Sequence, residues 1–103
     1  MFFDREKKEN AAVLAQLMTY VDADGLTDRE RKIGELAMAD IQKNVYNVKV
    51  VNRVMISLQQ EALVTKLSPA AADFYETMND TMNKIAPIGT NRANMLFRKG
   101  YLE

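Results

Sequence analysis

Histidine, cysteine and tryptophan are absent from this chain, and serine occurs only at Ser57 and Ser68. Without cysteine there are no disulfides, no thiolate metal sites and no thiol nucleophile. Without histidine the commonest general base is missing. Neither serine lies in a Gly-x-Ser-x-Gly elbow, and no glycine-rich phosphate loop occurs. Chemistry by two carboxylates alone stays formally open, as in glycoside hydrolysis. A helical domain this small offers little room for a substrate cleft, so no enzyme is expected.

An excess of either charge is missing as well. Lys+Arg and Asp+Glu each number 14, so the formal net charge is zero. That balance removes any global pull toward nucleic acid or an anionic membrane. No aromatic residue interleaves the bases as a nucleotide-stacking platform requires, so no nucleic-acid partner is expected. No apolar run approaches the roughly 20 residues needed to span a bilayer. The opening MFFDREKKEN mixes its charges and lacks the basic, apolar, small order of a signal peptide. No transmembrane segment and a cytoplasmic location are therefore expected. With four glycines and two prolines, no linker, repeat or low-complexity segment stands out.

What is present is a chain of 103 residues, 48% hydrophobic and 27% charged, the size of a single domain with a modest core. The stretch YVDADGLTDRERKIGEL organises it. Asp24-Gly25 is a turn pair, because glycine takes positive φ without steric cost. Thr27 stands three residues before Glu30, the spacing of a capping box. Asp28 and Glu30 put negative charge at the positive end of the helix that follows.

Periodicity predicts a helix over residues 4–21, with Asp4 as N-cap and Leu14, Leu17, Met18 and Val21 on its apolar side. A second helix follows Thr27 and runs to about residue 44, burying Ile33, Leu36, Ala37 and Ile41. Gly34 inside it marks close helix packing. Residues 48–66 are rich in β-branched side chains, which favours a strand. Val51, Val54, Met55, Leu58 and Ala62 nevertheless form a helical stripe, and no partner strand exists elsewhere, so a helix is expected. Ser68-Pro69 is a helix start, serine capping and proline at the first helical position. The helix it opens carries Ala71, Phe74, Tyr75, Met78, Met82 and Ile85 on one side and stops before Pro87. A short helix over residues 91–99 is expected to end at Gly100 as a C′ glycine. Most of the seven methionines fall on inward stripes and read as core filling. The fold class expected is all-α, a small four-helix bundle-like single domain with a short C-terminal helix.

The candidate functional residues form two groups. The acidic corner offers Asp22, Asp24 and Glu30 as ligands of a weak divalent-cation site. It is no EF-hand: with Gly25 at loop position six, positions one and twelve fall on Tyr20 and Arg31, neither a carboxylate. The second group is apolar area in excess of a small core. Val50 and Ile56 lie off the stripe of the third helix, and Met95, Phe97 and Tyr101 crowd the C-terminal segment. These five residues are the candidate contacts for self-association or for a protein partner.

The run Leu14-x-x-Leu17, Ala23-Asp24-Gly25, Thr27-x-x-Glu30 and Ile33-x-x-Leu36 resembles the tellurite-resistance TerB-like helical domains. The resemblance covers residues 11–41. It implies a helical hairpin, stress-related scaffolding near membranes and divalent-cation binding, with Asp24 and Glu30 carried over by position and Asp22 as their neighbour. The leading expectation is a non-catalytic helical interaction or scaffold module that forms a homodimer and needs no cofactor. The alternative is a divalent-cation-responsive stress protein of the TerB-like kind.

Overall fold

The computed structural model describes residues 2–86 and 100–102, with side chains of the first helix from residue 6 onward. Four helices follow in order: α1 (Phe2–Val21), α2 (Asp28–Gln42), α3 (Asn47–Val64) and α4 (Pro69–Ile85). No strand occurs among the described residues. The expected short helix over residues 91–99 lies outside them.

α1 begins at Phe2, ahead of the expected start, so Asp4 is inside the helix and is not its N-cap. Its buried side is centred on Val13, Leu17 and Tyr20, with Leu14 and Val21 half-buried. The apolar face is thus rotated from the expected one, and Met18 stays 51% exposed. The turn into α2 uses Gly25 at φ 85°. Both arms of the capping box form: the Glu30 amide donates to Thr27 Oγ1 at 3.1 Å, and the Thr27 amide donates to Glu30 Oε1 at 2.9 Å.

α2 ends in a Schellman motif. Asn44 takes φ 65°, the Val45 amide donates to the Asp40 carbonyl and the Asn44 amide to the Ile41 carbonyl, both at 3.0 Å. Asparagine tolerates this left-handed position better than any residue except glycine. The chain then re-enters a helix at once, because α3 buries a wide face.

α3 is the inner helix, packed against α1, α2 and α4. It is helical despite its valines because Val50, Val51, Val54, Met55 and Leu58 all reach the core. Tertiary burial outweighs a propensity difference of a few tenths of a kcal/mol per residue. The stripe continues through Glu61 and leaves Ala62 exposed. Arg29 on α2 meets that buried acid, with Nη2 at 2.7 Å and Nε donating at 2.8 Å. α4 starts as expected: Ser68 Oγ accepts from the Ala71 amide at 3.2 Å and proline occupies the first turn.

Gly34 sets the approach of α2 to α1. A Cβ there would stand 2.7 Å from Val21 Cγ1 and 2.8 Å from the Tyr20 ring. Alanine would gain about 1 kcal/mol of helix propensity, but overpacking costs about 1–3 kcal/mol. Tyr20 has no room to yield, since its ring stacks on Phe74 at 4.0 Å. Gly34→Ala is therefore expected to destabilise the chain by about 1 kcal/mol or more in urea unfolding. An unchanged or raised midpoint would contradict this close approach.

Candidate functional site

Glu30 is 1% exposed, the most buried acid among the described residues. Besides the Thr27 amide, its carboxylate accepts from the Ser68 amide at 3.0 Å and from Ser68 Oγ at 2.7 Å. Its backbone carbonyl accepts from Tyr20 Oη at 2.8 Å. One residue thus joins the end of α1, the start of α2 and the start of α4. Burial alone would push the Glu30 carboxyl up, but the Ser68 and Thr27 amides and the Ser68 hydroxyl together hold it below the ordinary carboxylate value. Burial and the neighbouring Glu30 charge push the Tyr20 hydroxyl well above the ordinary phenol value, so it stays a donor.

The neighbouring arginine closes the same corner. Arg31 Nη1 donates to the Val21 carbonyl at 2.6 Å and Nη2 to the Ala23 carbonyl at 3.4 Å. A cation there meets the unsatisfied carbonyls and the negative dipole end of α1.

This geometry separates the candidate cation ligands. Asp22 and Asp24 are exposed, whereas Glu30 points inward onto three donors. The three do not form a group able to hold a metal ion, and no other set of three or more acids does so among the described residues.

The second candidate group is also divided. Val50 and Ile56 are buried, at 1% and 4% exposure, so neither offers surface to a partner. The sequence reading placed them outside the stripe, but α3 is enclosed on more than one side and buries both. Met95 and Phe97 lie outside the described residues. Tyr101, offered as a partner contact, is half-buried and folds back onto the chain with Leu102. Its amide donates to Ser57 Oγ at 2.7 Å, its hydroxyl donates to Asp40 Oδ2 at 2.8 Å, and the Arg53 guanidinium lies over its ring at 4.4 Å. Burial, then the bond to Asp40, push that hydroxyl well above the ordinary phenol value. Gly100, expected as a C′ glycine, follows residues that lie outside the described ones. It is small because a Cβ there would collide with Gln60 Oε1 and stand 3.1 Å from the Ser57 backbone.

No protein-family model, curated protein or solved structure matches this chain. Function is therefore read from the surface itself.

The surface feature missed by the sequence reading is a groove of about 410 Å³ between α1 and α4. Its floor is the stacked pair Tyr20 and Phe74, with Ala15 and Thr19 on one wall and Ala70 and Thr77 on the other. Gln16 and Asp73 also line it, and the floor itself is nearly closed, Tyr20 being 3% and Phe74 7% exposed. The Val13, Leu17, Tyr20 spacing of i, i+4, i+7 carries the signal that Tyr20 faces inward. That this tyrosine meets Phe74 is a tertiary fact. Glu30 holds both sides of the groove, gripping the Tyr20 hydroxyl through its carbonyl and the α4 cap through its carboxylate.

Glu30→Gln keeps the shape but replaces one acceptor oxygen by a donor facing N–H or O–H groups. A loss of about 2 kcal/mol or more is expected, since hydrogen bonds to charged groups and buried unmatched donors each cost on that scale. The pH dependence has a definite sign. The carboxyl is depressed in the folded state, so its contribution is full above the ordinary value of 4.5 and fades as pH falls through the lower folded value. Urea unfolding from neutral pH into this acidic window should show wild-type stability converging on that of Glu30→Gln. Parallel curves for the two proteins would contradict the assignment.

Proposed function

We propose that this chain is a non-catalytic helical interaction module of the cytoplasm that self-associates through the face formed by α1 and α4. The observation that carries the reading is the groove between α1 and α4, where the small exposed side chains Ala15, Thr19 and Thr77 stand over the buried pair Tyr20 and Phe74. An apolar groove between helices is the form that receives the side chains of another helix. Met18, on the outer face of α1, adds a 51%-exposed apolar side chain to that helix's surface. No described helix is long and apolar enough to cross a membrane. A bundle of this size buries a limited share of its surface, and packing a second copy extends the core at little structural cost. The self-associating surface moves accordingly from α3, where Val50 and Ile56 are enclosed, to α1 and α4.

Sedimentation velocity from low to high micromolar concentration tests the reading. The wild-type chain is expected to shift from monomer toward dimer. Ala15→Glu, at an exposed position on the groove wall, is expected to stay monomeric with unchanged far-ultraviolet dichroism. A wild-type chain that is monomeric throughout, or an Ala15→Glu chain that associates equally, would overturn it.

A further inference from the structure

Along the outer face of α1 a base, Lys8, is followed just past the last turn by an acid, Asp22. Lys8, Ala12, Ala15, Thr19 and Asp22 follow one another at i, i+4, i+7, i+11 and i+14, with Ala11 and Met18 alongside, and all seven are exposed. Neither Lys8 nor Asp22 is held in an ion pair among the described residues. The groove runs beside this face, and α4 crosses it antiparallel, since Tyr20 stacks on Phe74 while Gln16 Oε1 accepts from Thr81 Oγ1 at 3.1 Å. Asp73 therefore lies at the end of Asp22, and Lys84 lies toward the end of Lys8. On α4 two acids, Asp73 and Asp80, precede Lys84, so the charge polarity of the face rests on Lys8 and Asp22. Glu6 projects from the far side of α1, half a turn round from Ala15 by helical spacing.

We infer that the partner on this face is a second copy of the same chain, docked antiparallel on α1 about a twofold axis at Ala15, with Lys8 of each copy facing Asp22 of the other. This rests on the self-association proposed above and adds its geometry. Under that axis Ala12 meets Met18, Ala11 meets Thr19, and Ala15 meets itself. Small residues stand opposite larger ones on both sides, so the helices can approach closely. Docking α1 parallel to itself would set Lys8 on Lys8 and Asp22 on Asp22, and like charges select against that register. The face from Lys8 to Asp22 is about 21 Å long at 1.5 Å per residue and about 10 Å wide. Even doubled by the α4 wall it falls below the roughly 800 Å² per partner of a standard interface. The dimer is therefore weak, with micromolar dissociation that tightens as ionic strength falls.

Charge exchange on the full chain tests this by sedimentation. Lys8→Glu alone sets a second acid against Asp22, and Asp22→Lys alone sets a second base against Lys8. Each single variant is expected to dissociate at least tenfold more readily than wild type, while an equimolar mixture of the two associates about as tightly as wild type. As a second measurement, Ala15→Cys supplies the chain's only thiol. It is expected to form a disulfide-linked dimer under mild oxidation much faster than Ala72→Cys, which lies outside the contact. A wild-type dimer whose affinity ignores both charge variants, with no rescue in the mixture and no preferential cross-link, would overturn the antiparallel arrangement while leaving self-association standing. A wild-type monomer at every concentration would overturn both.

Discussion

Burying a carboxylate costs several kcal/mol unless donors replace the lost water. Glu30 meets that condition with two backbone amides and one hydroxyl. The arrangement serves two helix starts at once. At α2, Glu30 closes the capping box with Thr27; at α4, it orients the Ser68 hydroxyl, whose lone pair then accepts from Ala71. Two helix N-termini share one negative charge, which both dipoles favour. The Tyr20 hydroxyl on the Glu30 carbonyl brings in α1. The position of α4 against α1, and with it the groove, depends on this junction.

The rest of the bundle is arranged around the same corner. Gly34 lets α2 come within contact of Tyr20 and Val21, and Tyr20 in turn stacks on Phe74. On the other side of α2, Arg29 reaches Glu61 on α3. Arg29 itself is 64% exposed, so this pair satisfies a buried acid more than it adds net stability. The successive residues Arg29, Glu30 and Arg31 therefore bind three different elements: α3, α4 and the end of α1. Their outward neighbours, Asp28 and Lys32, are exposed.

Much of this was legible locally. The capping box, the Asp24-Gly25 turn, the Ser68-Pro69 start and the tight packing at Gly34 are short-range patterns, and each stands where the residues place it. So does the helical reading of α3. What sequence patterns carry poorly is the third dimension. The first oxygen of Glu30 belongs to a local motif, but its second finds Ser68 thirty-eight residues away. Glu61 takes the buried place for which Ala62 looked better, because hydropathy does not register an arginine arriving from another helix. Val50 and Ile56 looked surplus because a stripe of ordinary width was assumed for a helix enclosed on several sides. Asp22 and Asp24 looked like ligands beside Glu30, yet the cap that orders Glu30 turns it away from them. Of the candidate contacts, Tyr101 looked like surplus apolar area, but its bond to Asp40 and its place under Arg53 depend on tertiary packing that the sequence pattern does not carry.

A double-mutant cycle between Tyr20→Phe and Ser68→Ala tests the junction most directly. The two side chains lie on different helices, and each substitution removes one hydrogen bond from Glu30, on its carbonyl and on its carboxylate. If Glu30 couples α1 to α4, urea unfolding should give an interaction energy of about 1 kcal/mol between the two substitutions. Strict additivity, within the few tenths of a kcal/mol seen for independent sites, would contradict a shared junction.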